Sequence, residues 1–195
     1  MHVFVVYCHP SEQSFTYEVK NEFLRGLADA GHTYEMSDLY AMGFNAEFSE
    51  REYLRDAFYT GGGAVDEDVL REQNKIQSAD AIAFIYPVFW TEAPAKLVGW
   101  FDRVWTFGFA YGPATKMKKL KKALVIAIAG NTMEALKESG EAQAMETVML
   151  GDRIRDRAEE KRMVILYGTS RHDMEQRESK APAHLKTAYE LGRDM

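Results

Sequence analysis

The sequence of 195 residues has a single cysteine, Cys8, few prolines and no long hydrophobic run. One cysteine excludes an internal disulfide, which favours a reducing compartment. No apolar stretch approaches the roughly 18 residues that a membrane-spanning helix needs. The N-terminus also lacks the basic segment, apolar core and cleavage site of a secretory signal. These absences predict a cytoplasmic protein without stable membrane insertion.

An excess of positive charge is absent as well. The chain has 24 lysines and arginines against 30 aspartates and glutamates, a formal net charge of −6, which argues against a nucleic-acid partner. His2, His32 and His184 show no spacing typical of metal ligands, so we expect no metal site. There is no Gly-x-Gly-x-x-Gly fingerprint and no P-loop. The glycines at 61–63 follow a helical pattern and are interpreted as a linker or cap.

Short apolar runs alternate with helical patterns along the chain. The runs predict strands at 3–7, 33–37, 81–86, 123–129 and 163–167, with the second at an edge of the sheet. Apolar residues at every fourth position of 15–27 predict the first helix, and 183–191 predicts the last. This alternation predicts an α/β fold with a doubly wound parallel sheet and helices on both faces. No linker or repeat divides the chain, so we expect one domain over 1–195.

Two connections and two local concentrations of residues stand out. The 38–80 connection is predicted to hold two short helices, around 49–58 and 66–78, and 130–162 is also long. Trp90, Trp100 and Trp105 fall within 16 residues and predict a flat apolar surface for a dimer interface or a planar ligand. The lysine run at 116–122 is interpreted as a solvated loop before the fourth strand, or as a region that steers an anionic cofactor.

Polar residues follow the first predicted strand. Ligands of a doubly wound sheet bind beyond the carboxyl ends of its strands. His9, Ser11, Ser14 and Thr16 stand there, at the start of a helix whose N-terminus can bind phosphate. The alternative is that Ser11 or Ser14 only caps the helix.

Two further loops have unusual composition. Pro87–Trp90 combines backbone amides with two aromatic rings, and Gly130, Asn131 and Thr132 follow the fourth strand. The alternatives are a core turn for the former and an N-cap at Thr132 for the latter. Together with the first loop they predict a pocket of the flavin mononucleotide type, with phosphate at the first loop and the isoalloxazine ring at the other two.

Two remaining groups carry weaker signals. Ser170, His172 and Asp173 have the composition of a hydrolytic triad, but no nucleophile-elbow pattern supports that function. Cys8 is predicted to be a buried small residue rather than a nucleophile.

Three segments resemble one known family. They read HPSEQSF, SDLYAMGFN and EQNKIQSADAIAFIYPVFWTEAPAKLVGWFDRVWTFGFAYG. They resemble the flavodoxin-like NAD(P)H:quinone oxidoreductases of the DT-diaphorase and modulator-of-drug-activity types, over roughly residues 2–130. The resemblance implies a three-layer sandwich with a five-stranded sheet of order 2-1-3-4-5. It also implies a homodimer with a flavin at each subunit interface, FAD in most members and FMN in some, and the long 38–80 connection favours FAD.

The resemblance also implies an activity and a set of site residues. A hydride passes from NAD(P)H through flavin N5 to a quinone or similar aromatic acceptor. Matched positions imply that the pyrophosphate and ribityl chain are held by His9, Ser14, Phe15 and Thr16. They imply that the isoalloxazine ring is contacted by the backbone of Pro87, Val88, Phe89 and Trp90, and by the loop of Ala129, Gly130 and Asn131.

The resemblance places Tyr111 in the substrate pocket of the partner subunit. The family's Tyr and His relay after the fourth strand has no match between Thr132 and Tyr167, so no acid–base residue is assigned. Backbone amides of Gly130 and Asn131 could stabilise negative charge on the reduced flavin.

Three alternatives remain open. An ancillary subunit of a potassium-efflux transporter shares the GFAYG segment at 108–112. An electron-transfer flavodoxin would be monomeric and would not need a nicotinamide site. A hydrolase would depend on Ser170 and His172 alone.

Overall fold

The structure, a computed structural model, describes residues 1–58 and 63–195. Gly61 and Gly62 of the predicted glycine linker lie outside the described residues. The strands are β1 (His2–Tyr7), β2 (Thr33–Asp38), β3 (Ala81–Pro87), β4 (Leu120–Ile128) and β5 (Ala158–Leu166). All neighbouring strands pair in parallel, in the order β2-β1-β3-β4-β5. The predicted strand order and the edge position of β2 are therefore confirmed.

Seven α-helices connect and flank these strands in the described part of the chain. They are α1 (Phe15–Asp29), α2 (Glu50–Ala57), α3 (Glu67–Ser78), α4 (Ala95–Val104), α5 (Met133–Glu138), α6 (Glu141–Glu146) and α7 (Met174–Arg193). A π-helical segment, Thr147–Ile154, follows α6. The two short helices predicted in the 38–80 connection are α2 and α3. None of the described helices has the length and hydropathy needed to cross a lipid bilayer.

Three element boundaries differ from the prediction. β4 begins at Leu120 and β5 at Ala158, so Lys121 and Lys122 of the lysine run belong to a strand rather than to a solvated loop. Charged residues in the first half of β5 are exposed because this strand forms the other edge of the sheet. This half of the strand is therefore not an apolar run, and the sequence pattern did not predict it. The last helix begins at Met174, well before the predicted 183, and contains Pro182 within it.

The side chains of the sheet alternate between two apolar layers. Phe4 and Val6 of β1 pack on the α3 and α4 side, whereas Val3, Val5 and Tyr7 pack on the α1 and α7 side. All five are at most 1% exposed. Continuous burial of alternate residues on both faces is the pattern expected of a central parallel strand.

Helices α1 and α7 approach each other at glycines. A Cβ at Gly26 would lie 2.1 Å from the carbonyl oxygen of Tyr189, and one at Gly192 would lie 2.2 Å from that of Phe23. Any larger residue at either position would force the helices apart. This contact brings the N-terminal part of α7 beside the start of α1.

Trp100 contradicts the prediction of a flat surface formed by three tryptophans. Its side chain is fully buried, and its indole Nε1 donates to Glu72 Oε2 at 2.8 Å. Trp105 is half-buried and Trp90 is completely exposed. Trp100 therefore belongs to the core, because it lies on the face of α4 that packs against Phe4 and Phe84.

Candidate functional site

A cleft of about 360 Å³ opens at the carboxyl ends of β1, β3 and β4. Residues from the three predicted loops line it, and so does the segment after β5. The lining residues are His9, Ser11, Ser14, Phe15, Thr16, Pro87, Val88, Phe89, Ile128, Gly130, Thr169, Arg171 and Arg177. We refer to it as the carboxyl-end cleft. It brings together eight of the twelve site residues that the family resemblance implies, and also Ser11.

Three of the predicted residues near this end of the sheet do not line the cleft. Ala129 is 1% exposed, and its amide donates to the carbonyl of Leu166 at 2.8 Å. Asn131 is exposed to solvent, and its carbonyl accepts from the amide of Gly168. The ring of Trp90 lines a neighbouring shallow pocket with Phe89.

The hydroxyl of Ser14 is already engaged by the protein. Ser14 Oγ accepts from the amide of Tyr17 at 3.1 Å and donates to the carbonyl of Ser11 at 2.9 Å. Helix capping, the structural alternative for this residue, is therefore its role in this structure. The first amides of α1 have no partner inside the helix, so they and the hydroxyl of Thr16 are the groups that can bind a ligand here. Thr132 likewise caps α5, through the amide of Ala135.

His9 stands at the rim of the cleft as a neutral side chain. Its Nδ1 lies 2.9 Å from both the amide nitrogen and the carbonyl oxygen of Ser11. Burial, together with repulsion from Arg171, lowers its pKa even though Ser11 opposes the shift. Because Ser11 engages Nδ1, Nε2 is the ring nitrogen left to contact a ligand.

The loop after β3 has an unusual backbone. Trp90 and Thr91 have φ angles of 52° and 64°, although neither is glycine. Such angles are rare for a β-branched residue and cost of order 1–3 kcal/mol each. Phe89 and Glu92 close the turn with two backbone hydrogen bonds, and Arg153 anchors it through an ion pair of 2.9 Å with Glu92. The surrounding contacts therefore fix the direction of this backbone beside the cleft.

Thr169, Arg171 and Arg177 are lining residues that sequence reasoning missed. Arg171 Nη2 donates to the carbonyl of Gln13 at 2.7 Å, and the guanidinium of Arg177 lies 5.8 Å from the centre of the Phe15 ring. Both reach the cleft because α7 packs on α1. The one available signal was the pair of arginines after the fifth strand.

The hydrolytic triad is not assembled. Ser170 Oγ accepts from the backbone amide of His172, and Asp173 caps α7 through the amide of Gln176. Among the described residues, no hydrogen bond joins the His172 ring to either side chain. The composition of this turn thus serves to start a helix.

The charges of the carboxyl-end cleft suit a phosphate-bearing ligand. Arg171 and Arg177 are cationic, α1 points its N-terminus at the cleft, and no lining residue among those described has a carboxylate. Helix N-termini and arginines are the usual partners of phosphate in proteins. The donor set therefore fits the phosphate end of a flavin nucleotide, and the walls formed by Val88, Phe89 and Ile128 fit a planar apolar group.

Metal and thiol chemistry find no support in the described residues. No group of three or more histidine, cysteine, aspartate or glutamate side chains there could hold a metal ion. Cys8 is fully buried, and burial raises the pKa of its thiol to about 12. The prediction that Cys8 is a buried core residue is confirmed.

Tyr111 does not line the carboxyl-end cleft. It lies between α4 and β4, next to the bridge that it forms with Phe107. It lines a different groove of about 720 Å³ with Tyr53, Phe101, Asp102 and Trp105, which we call the Tyr111 groove. The structure therefore does not bring Tyr111 together with the other predicted site residues of its own chain.

Comparison with known proteins agrees with this geometry. The sequence profile of a family described as having a flavodoxin-like fold matches residues 1–190. The chain belongs to this flavodoxin-like family. One similar solved structure is an NAD(P)H:quinone oxidoreductase from Methanothermobacter marburgensis, which is 46% identical in sequence. The superposition covers 100% of this chain and 95% of that one, with a TM-score of 0.92.

Two curated relatives match more weakly. Rat NAD(P)H dehydrogenase [quinone] 1 is 33% identical over 59% of this chain and 47% of its own length, so the matched region is about half of that relative. Ribosyldihydronicotinamide dehydrogenase [quinone] from Pongo abelii is 32% identical over 71% of this chain and 67% of its own length. Both names describe quinone-reducing dehydrogenases, and both relatives are longer than this flavodoxin-like chain.

Proposed function

We propose that this protein is a flavin-dependent NAD(P)H dehydrogenase that reduces quinones or similar aromatic acceptors. The observation that carries the proposal is the carboxyl-end cleft, whose donors suit a flavin phosphate and whose apolar walls suit a flavin ring. The similarity to a quinone oxidoreductase of nearly the same length supports the activity. We also expect a cytoplasmic location, since a reducing compartment suits a chain with one buried cysteine.

The residues of the cleft divide between the two ends of the cofactor. The phosphates would contact the first amides of α1, Thr16, His9 Nε2, and the guanidinium groups of Arg171 and Arg177. We expect FAD rather than FMN, because the long connection holding α2 and α3 provides additional protein surface. The bound flavin would supply hydride transfer between NAD(P)H and the acceptor.

The ring end of the cofactor would meet backbone groups. The backbone at Val88 and Phe89 lies next to a turn whose direction is fixed, and Gly130 opens the opposite wall. A Cβ at Gly130 would lie 3.5 Å from the Cβ of Ser170, so the glycine is not needed for space. Its amide can donate to negative charge on a ligand, the device that preorganised sites use.

No side chain is assigned a proton-transfer role. His184 Nε2 bonds to the carbonyl of Tyr167 at 2.8 Å, and the two rings pack at 5.5 Å. Burial lowers the pKa of His184, so it stays neutral near pH 7. These two residues therefore support the wall behind Phe15 rather than replacing the missing relay.

The site would be completed by a second copy of the chain. Tyr111 does not line the cleft of its own chain, and the family resemblance implies that it lines the substrate pocket of a partner subunit. Large apolar side chains are exposed at the Tyr111 groove, namely Phe48 and Tyr53, and on the neighbouring part of the chain, namely Leu54 and Phe58. Exposed apolar patches of this kind mark protein interfaces. We propose a homodimer that buries these side chains.

Steady-state oxidation of NADH and NADPH with a soluble quinone tests the activity. The purified protein, loaded with FAD or FMN, should reduce the quinone to hydroquinone with one donor consumed per quinone. Electron paramagnetic resonance during anaerobic turnover should show no accumulating semiquinone radical, which is the result that two-electron transfer predicts. Absence of turnover with either donor and either flavin would refute the proposed function.

A further inference from the structure

A second cleft, rich in positive charge, lies next to Tyr111. Its volume is about 340 Å³, and it is formed by the turn that precedes β4 and by the segment between the π-helix and β5. Its charged lining residues are Lys118, Lys119, Arg155, Asp156 and Arg157. We call it the basic cleft. Four cations and one carboxylate give a local charge of +3 on a chain whose net charge is −6.

The cations of the basic cleft make no close ion pairs. In the described part of the chain, none of the four lies within 4.0 Å of a carboxylate oxygen. Arg157 instead donates to backbone carbonyls, to Ala110 at 2.9 Å and to Arg153 at 3.3 Å. Burial lowers the pKa of its guanidinium, and repulsion from Arg155 adds to the shift, although attraction by Asp156 and Asp152 opposes it. A bound anion would offset the cost of burying this charge.

Arg155 stands in this cleft with a strained backbone. Its φ is 48° and its ψ is −109°, a conformation that favours glycine. Its amide donates to Leu150 at 3.1 Å, and its carbonyl accepts from Lys161 Nζ at 2.7 Å, so the conformation is fixed. Strained residues of this kind cluster at ligand-binding sites. Arg155 lines both the basic cleft and the Tyr111 groove.

The position of the basic cleft connects it with the electron donor. Tyr111 lines the basic cleft as well as the Tyr111 groove. If Tyr111 lines the pocket of the partner subunit in the proposed homodimer, as the family resemblance implies, its basic cleft lies beside that pocket. The nicotinamide ring would then stack near the flavin while the phosphates of the donor extend past Tyr111. A 2′-phosphate adds about two negative charges to such a ligand.

We propose that the basic cleft binds the phosphate groups of the nicotinamide dinucleotide donor and makes NADPH the preferred donor over NADH. This inference rests on the proposed function. The fold alone does not determine which donor is preferred. One relative is named for ribosyldihydronicotinamide, a donor without phosphate groups.

Three donors separate the phosphate contacts from the chemistry. They are NADPH, NADH and 1-benzyl-1,4-dihydronicotinamide, which has no phosphate, and kcat/KM is measured for each with the flavin-loaded protein. The test variant is Lys118→Gln with Lys119→Gln. Arg155→Gly is a second test, because glycine accepts the positive φ and so removes the side chain without threatening the fold. Lys121→Gln is the matched control, since Lys121 belongs to the same lysine run but pairs with Asp80.

The native protein should have a higher kcat/KM with NADPH than with NADH. The double variant should lose roughly tenfold in kcat/KM with NADPH and about threefold with NADH, with little loss for the phosphate-free donor. Arg155→Gly should follow the same order, and Lys121→Gln should match the native protein. Equal losses with all three donors, or no loss with NADPH, would overturn the inference. No turnover with any donor, including the phosphate-free one, would instead refute the proposed function itself.

Discussion

Arg103 of α4 forms ion pairs and hydrogen bonds with the connection between β2 and β3. Its replacement by methionine should destabilise the fold strongly. Its side chain is 3% exposed and donates to Glu52 Oε1 at 2.7 Å, to Asp68 Oδ2 at 2.5 Å and to the carbonyl of Asn45 at 2.7 Å. Glu52 is itself 2% exposed. Burial alone would raise the pKa of Glu52, but hydrogen bonds from Ser49 and Arg103 outweigh it and lower that pKa.

Arg103→Met preserves most of the apolar volume but leaves Glu52 buried without its cation. Removing one partner of a buried ion pair costs about 3–5 kcal/mol. For a chain of this length, each kcal/mol lowers Tm by about 2–4 °C, so we expect Tm to fall by roughly 6–20 °C. The same change should raise the pKa of Glu52, because it removes the hydrogen bond and the positive charge of Arg103 that lower it.

Thermal unfolding followed by circular dichroism, at a fixed protein concentration, measures this effect. Arg71→Met is the control, because Arg71 is 62% exposed and its ion-pair partner at 3.9 Å, Glu67, is 95% exposed. Its Tm should change by less than about 1 °C. Adding Glu52→Gln to Arg103→Met should recover part of the loss, since the buried group is then neutral. A fall in Tm below about 2 °C for Arg103→Met would refute the reasoning.

Three further predictions follow from the site and its surroundings. Gly130→Pro removes an amide beside the cleft and should weaken flavin binding by about tenfold or more, whereas Gly130→Ala should bind normally; equal affinities, measured by fluorescence quenching of the free flavin, would contradict that assignment. Burial lowers the pKa of His184 below 6.5, so its contribution to the free energy of unfolding should be fully present above pH 6.5 and be lost as the pH falls. In urea titrations, His184→Gln should therefore show a smaller decrease of the free energy of unfolding at low pH. Trp90→Phe should change Tm by less than about 1 °C and remove the most red-shifted tryptophan emission, because that side chain is completely exposed.

The sequence was most informative where burial is continuous. The strands β1, β3 and β4 are apolar runs buried on both faces, and this pattern requires a parallel sheet with helices on each side. The carboxyl ends of those strands then predicted where a ligand would bind. Edge strand β5 was predicted too short, because its exposed first half is charged and resembles a loop.

Two kinds of feature could not be predicted from the sequence. Arg171 and Arg177 reach the carboxyl-end cleft because α7 packs on α1, and no local sequence pattern predicts that contact. Trp90 and Thr91 have positive φ angles although neither is glycine, the residue type that usually indicates such a conformation. Likewise, spacing along α4 could not show that Trp100 faces the core, whereas its hydrogen bond to Glu72 does.

Flavin retention tests whether the carboxyl-end cleft holds a flavin. The visible spectrum of the protein is recorded after incubation with FAD and FMN and removal of unbound flavin, and the flavin released on denaturation is identified. We expect about one flavin per chain, FAD in preference to FMN, and loss of retention when Arg171 and Arg177 are both changed to glutamine. Bound FMN alone would support the cleft as a flavin site and refute the choice of FAD. A protein that retains neither flavin would contradict the assignment of the cleft as a flavin site.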